Sequence, residues 1–132
     1  MTITTFADVA EGVRAAIAAY TQALDDGRTD DVVATFCPDG GIDIPGLGTH
    51  EGHDAVRAAY AGWQPKLPVR HLVVNTLVTD WNDDAATATS DVIVLVQRDG
   101  GWAIQVVGRY HDTLHRDGDG WRFHRRAAEF AM

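Results

Sequence analysis

Val9, Val13, Ile17, Tyr20 and Leu24 recur at steps of three or four, with alanines filling the turns between them. That 3.6-residue period predicts an amphipathic helix over residues 6–26. Thr5 with Asp8 three residues on offers a capping-box start, and Gly27 an αL stop. Thr29 is expected to cap a short second helix, with Asp30 and Asp31 in its first turn, Val32, Val33 and Phe36 on its apolar side, and Pro38 as its end. Glycines and a proline between residues 40 and 48 break the next stretch into two extended pieces, 42–44 and 47–50, read as a small hairpin. Val56, Tyr60 and Trp63 then share a helical face over residues 53–63, which Pro65 and Pro68 cannot continue.

Beyond Pro68 the period changes to two. Residues 70–81, 86–97, 102–116 and 121–130 read as strands, separated by the turn clusters Asn82-Asp83-Asp84, Asp99-Gly100-Gly101 and Asp117-Gly118-Asp119-Gly120. Such clusters supply tight hairpins, so the four strands are expected to form an antiparallel meander. The fold class is α+β, helices first and sheet second. Val92, Val94 and Val96 alternate with Ile93 and Leu95, so this strand is apolar on both faces. One face can cover the helices; the other calls for a second cover, most simply a second copy of the chain.

Composition sharpens this picture. With 132 residues, 45% hydrophobic and 23% charged, the chain fits one compact domain spanning residues 1–132, without repeats or linkers. Nineteen Asp and Glu against 11 Lys and Arg give a net charge of -8, which argues against nucleic acid or an anionic membrane as partner. The acidity is concentrated in the helical half, whereas residues 98–126 are mildly basic. A single cysteine, Cys37, excludes an intrachain disulfide and a multi-cysteine zinc site, and fits a reducing compartment. Residues 1–6 lack a basic stretch followed by an apolar run, and no segment approaches the roughly 18 apolar residues of a membrane span. A cytoplasmic protein is the expectation.

Three stretches, in this order along the chain, resemble one family: the first helix with Tyr20 and Leu24-Asp25; His50-Glu51-Gly52-His53-Asp54-Ala55-Val56 at the entry to the third; and Gly108-Arg109-Tyr110-His111-Asp112 followed by Gly120-Trp121-Arg122-Phe123. The chain is similar to SnoaL-like domains of the nuclear-transport-factor-2-like superfamily. The resemblance implies N-terminal helices packed in the concave face of a strongly curved, mainly antiparallel sheet, with a deep apolar pocket between the first helix and the sheet. That fold hosts polyketide cyclases, isomerases, dehydratases and non-catalytic binding modules, so the fold alone does not select an activity.

Dehydratase-like members carry Tyr, Asp, His, Asp and Arg in chain order, and Tyr20, Asp25, His71, Asp91 and Arg126 match that order. His71 is the natural proton carrier near neutral pH, and simple alternation gives it Val73, Asn75 and Leu77 as same-face neighbours. Asp25 ends a helix where the dipole disfavours carboxylates, a broken local rule that invites a function such as orienting the imidazole. Tyr20 lies on the buried stripe, and its hydroxyl needs a partner. Asp91, beside Ile93 and Leu95, needs a cation, for which Arg126 is the family match and Arg125 the rival under a one-residue register slip. Tyr110 and Asp112 occupy one face of their strand and His111 the other, so only one set sees the pocket.

The resemblance therefore implies a cofactor-independent lyase or isomerase acting on a hydrophobic, carbonyl-bearing small molecule. His71, Asp25 and Tyr20 would be catalytic, and Asp91, Arg126, Asn75, Tyr60, Trp63 and His111 substrate-binding. No metal and no cofactor is expected, and a homodimer through the outer sheet face is. The alternative is a dimeric small-molecule-binding module of the same fold. His50 and His53 read as hairpin and capping residues, His115 and His124 as exposed strand residues, and Cys37 as packing.

Overall fold

The computed structural model describes residues 3–131. Helix α1 (Phe6–Asp25) begins with the expected capping box: the Asp8 N–H donates to the Thr5 hydroxyl at 3.2 Å, and the Thr5 N–H to the Asp8 carboxylate at 2.9 Å. Gly27 follows its C-terminus with φ 70°. Helix α2 (Thr29–Ala34) differs from expectation at both ends. Its N-cap is Arg28 rather than Thr29, with no side-chain cap. The helix stops before Phe36, which opens β1 (Phe36–Ile44). Pro38 lies within that strand, in the irregular stretch between the Phe36 and Gly41 pairings, where the missing N–H costs no ladder bond.

Strand β2 (Gly48–Glu51) completes the hairpin with β1; α3 (His53–Gly62), β3 (Val69–Trp81), β4 (Ala85–Arg98), β5 (Gly101–Asp117) and β6 (Gly120–Ala131) follow. The six-stranded sheet has the order β2-β1-β6-β5-β4-β3. Strands β3 to β6 form the expected antiparallel meander, and β1 joins β6 in parallel, with Ile42 opposite Arg126. The fold class is α+β, with a mainly antiparallel sheet.

One large core unites the helices with the inner face of the sheet: Val9, Val13, Ile17 and Tyr20 of α1 and Val56 and Tyr60 of α3 cluster with Phe36, Ala86, Ala88, Leu114 and Phe123. A second cluster of Val69, Val92, Val94, Tyr110 and Ala128 continues along the sheet. The helix lies so close to the sheet that a Cβ on Gly12 would collide with the Trp121 ring.

Bulges re-aim side chains in β3, β5 and β6. In β3, Asn75 has φ 56°, and Asn75 and Thr76 together span the step that Ser90 alone occupies in β4. In β5 the extra residue is Gln105, and in β6 it is His124. No helix among the described residues is long and apolar enough to cross a membrane. The expectation about a leader rests partly on Met1 and Thr2, which lie outside the described residues.

Candidate active site

Asp25, at the last turn of α1, and His71, near the start of β3, meet across the interface between helix and sheet. The His71 Nδ1 lies 2.6 Å from one Asp25 carboxylate oxygen, and the His71 backbone N–H donates to the other at 3.0 Å. Both oxygens are thus held by one residue, which explains why a carboxylate is tolerated at a helix C-terminus. The side chains of His71 and Asp25 are only 17% and 6% exposed, so solvent does little to weaken the contact. With Nδ1–H donated to the carboxylate, the neutral imidazole presents its lone pair at Nε2, which has no hydrogen-bond partner among the described residues.

His71 lines two spaces. One is a cavity of about 460 Å³, bounded by Tyr20 and Leu24 of α1, Tyr60 and Trp63 from the α3 end, Val94 of β4 and Tyr110 of β5. The other is an open groove of about 910 Å³ between α1 and β3, bordered by Asp25, where Arg14, Gln22, Asp26 and Arg70 are exposed beside it. The first is the better ligand site, because its apolar and aromatic walls carry a few convergent polar groups. Among the described residues His71 alone lines both.

Tyr20 is 2% exposed, and its hydroxyl is hydrogen-bonded to the Tyr60 hydroxyl. The two rings meet edge to face at 5.9 Å, and Tyr60 meets Trp63 at 5.0 Å. Burial pushes the Tyr20 phenol above its ordinary pKa, opposed by Arg126; burial raises Tyr60 well above it, reinforced by Tyr20. Burial likewise raises Tyr110. All three are therefore neutral hydroxyls at neutral pH. In a pair of hydroxyls one proton is shared, and the acceptor keeps its own for a third group.

Several expected site residues lie elsewhere. In β4 it is the even-numbered stripe (Ala86, Ala88, Ser90, Val92, Val94, Val96) that is buried. Asp91 therefore points away from the cavity and binds Asn75 Nδ2 at 2.9 Å and Arg109 Nε at 2.8 Å, not Arg126. The Asn75 bulge shifts the phase of β3, so Thr76 and Val78 follow Val73 inward, and Asn75 and Leu77 are exposed. His111 is also outward, 3.1 Å from Glu129, because Tyr110 and Asp112 occupy the inner face. Hydrogen bonds to Asn75 and Arg109 hold the Asp91 carboxyl below its usual range.

Arg126 rather than Arg125 is the inward arginine. Its partner is the opposing cross-strand residue Asp112, at 2.9 Å and 3.2 Å, with both side chains wholly buried. The guanidinium carbon sits 3.6 Å from the Tyr110 ring centre, 4.5 Å from Tyr20 and 4.6 Å from Phe123. Arg126 thus lies behind the tyrosines that wall the cavity rather than in it. Burial alone would lower its pKa, but Asp112 and the neighbouring tyrosines hold it above the ordinary value. Arg125 is spent on Asp43 and Glu51.

His50 and His53 each bond a main-chain carbonyl, that of Leu47 and that of Phe36, both at 2.8 Å. Burial, with Asp39 second, raises the Cys37 thiol, which leaves it a poor nucleophile. Gln105 is a cavity residue that sequence periodicity misses, because it enters through a bulge.

The SnoaL-like domain family matches residues 6–127, and the chain belongs to that family. Its structural neighbours have the nuclear-transport-factor-2-like fold, described among them as cystatin-like. A protein of Novosphingobium aromaticivorans provisionally described as an aromatic ring hydroxylase is 26% identical, with a TM-score of 0.84 over 98% of this chain and 93% of that one. A second protein from that organism, provisionally a scytalone dehydratase, is 20% identical, with a TM-score of 0.81 over 92% and 83%. ActVI-ORFA of Streptomyces coelicolor is 22% identical, with a TM-score of 0.83 over 92% and 96%. At 20% and 22% identity the likeness is one of fold. No curated protein matches the chain.

Proposed function

We propose that this chain is a cofactor-independent lyase or isomerase that moves a proton at a carbon next to a carbonyl of an apolar small molecule. The observation that carries the reading is the Asp25–His71 contact at 2.6 Å beside an aromatic-walled cavity. Asp25 holds the imidazole in the tautomer whose Nε2 accepts, and Nε2 takes the carbon-bound proton. The developing enolate oxygen accepts a hydrogen bond from the spare hydroxyl of the Tyr20–Tyr60 pair, which keeps its proton. The imidazolium then returns its proton, to a different carbon in an isomerisation or to a departing hydroxyl in a dehydration. The provisional scytalone dehydratase among the neighbours is compatible with this chemistry.

A panel of bicyclic and tricyclic ketones in D2O tests the reading, with deuterium uptake at the α-carbons followed by mass spectrometry. At least one member is expected to exchange faster with the protein than in buffer. If members of the panel raise the thermal midpoint but none exchanges faster, the second reading replaces it: a binding module, which the edge-to-face packing of Tyr20, Tyr60 and Trp63 favours.

A second copy is part of the same proposal. Leu72, Leu77, Trp102, Ile104 and Val107 are exposed by 41% to 67% on strands of the meander, apolar side chains that a second copy would cover. Sedimentation is expected to read a dimer for the natural chain and a monomer for Ile104→Asp; a monomeric natural chain refutes it.

A further inference from the structure

Phe36, Leu114 and Phe123 are completely buried members of the core beneath the helices. Side chains alternate across a sheet, so the residue after each turns to the opposite face. Those residues are Cys37, His115 and His124, carried by β1, β5 and β6, strands that lie side by side. The β6 bulge falls on His124 itself, between the Leu114–Phe123 and Thr113–Arg125 pairings. The Cys37 sulfur and one ring nitrogen of each histidine lie within 4.8 Å of one another. The two imidazoles are stacked, with centres 4.3 Å apart and planes 12° from parallel.

Two of these groups lack a good partner. The His124 Nδ1 is buried and makes no hydrogen bond among the described residues; the nearest carboxylate oxygen there, on Asp39, is 3.9 Å away. The Cys37 thiol has only a weak contact, 3.7 Å to the Arg122 carbonyl. A buried imidazole nitrogen without a partner is costly unless something else occupies its lone pair.

We propose that Cys37, His115 and His124 bind a late first-row divalent metal ion, zinc in the first instance, with Asp39 or water as the fourth ligand. One thiolate and two imidazoles are soft to borderline donors, which suit zinc and disfavour magnesium and calcium. A tetrahedral ion with bonds of about 2.0–2.3 Å holds its ligands roughly 3.3–3.8 Å apart. Closing the cluster therefore takes about 1 Å of movement and a tilt of the stacked rings, so that their lone pairs converge. The His124 and Asp39 side chains, 38% and 80% exposed, have room for that adjustment. When the metal–sulfur bond forms, the Cys37 thiol proton leaves to solvent, and both imidazoles bind as neutral bases. The ion would clamp the start of β1 to the β5–β6 hairpin, on the face away from the helices. The expectation that no metal is bound rested on a lone cysteine and on histidines read as exposed; the fold adds two imidazoles from other strands.

Cobalt(II), standing in for zinc, tests the site on the purified full chain. One equivalent is expected to produce a thiolate-to-cobalt charge-transfer band in the near ultraviolet, which zinc then displaces. Zinc in about a hundred-fold excess over its Kd is expected to raise the thermal midpoint by several degrees. Cys37→Ser is expected to abolish the band, and His124→Ala or His115→Ala to weaken zinc binding about ten-fold or more. Absence of the band, a band that survives Cys37→Ser, or unchanged zinc affinity in both histidine variants overturns the proposal. The histidine side chains are only partly buried, so those variants keep the test decisive if Cys37→Ser fails to fold.

Discussion

His71→Ala is expected to slow α-proton exchange of whichever ketone responds to the natural chain by about 100- to 10,000-fold, the range general acid–base groups contribute. The fold should survive the change. The Asp25 carboxylate keeps the backbone N–H of residue 71, at 3.0 Å, as a donor and borders the open groove, so it is not left stranded in the core. The loss is then that of one charged hydrogen bond, about 1.5–3 kcal/mol, and the thermal midpoint falls by several degrees rather than collapsing. Asp25→Asn separates orientation from bulk. An amide donating to Nδ1 would leave the proton on Nε2, the nitrogen that has to accept, so exchange should fall nearly as far although the side-chain shape is kept. Because the two residues act as one unit, the double variant should be no slower than His71→Ala alone. Exchange that survives His71→Ala unchanged, with the protein folded, would remove the dyad from the mechanism. A double variant slower by the product of the two single effects would mean that Asp25 acts independently of His71.

The parts of this site that sequence periodicity reveals are those set by local physics. The helical stripe from Val9 to Leu24, the capping box at Thr5 and the turn clusters between strands each act over a few residues, and the elements they imply are present. The anomaly of Asp25 at a helix C-terminus was also visible, and His71 accounts for it. Facing direction was not legible. Strand β4 is apolar on both stripes, so alternation alone could not say whether Asp91 or Ser90 looks inward, and the answer depends on which stripe the distant α1 covers. Bulges made this worse: one extra residue at Asn75 reverses the phase of β3, and others admit Gln105 to the cavity and turn His124 toward Cys37. The parallel docking of β1 on β6 joins segments about eighty residues apart and has no local signal.

The largest stability effect is expected at Asp112. Asp112→Ala leaves the Arg126 guanidinium charged and wholly buried against three aromatic rings, with Nη1 already lacking a partner among the described residues. Breaking a buried pair this way costs about 3–5 kcal/mol, a large share of the roughly 5–15 kcal/mol that holds a typical domain folded. The variant should therefore melt more than ten degrees lower or fail to accumulate. Replacing both partners, Asp112→Leu with Arg126→Met, removes the charge together with its counter-charge, so the double variant should be clearly more stable than Asp112→Ala. Chemical denaturation of the single and double variants measures this directly, and a double variant no more stable than Asp112→Ala would show that the charge is not what makes the single change costly. The same double variant separates a structural arginine from a positioning one. Arg126 opposes the burial-driven rise of the Tyr20 pKa, which makes that phenol a better donor to a developing oxyanion. If that matters, the refolded double variant keeps the ketone KM of the natural chain but loses about ten-fold in exchange kcat, less than removal of a direct oxyanion donor would cost. Full recovery of kcat along with stability would assign Arg126 to the fold alone.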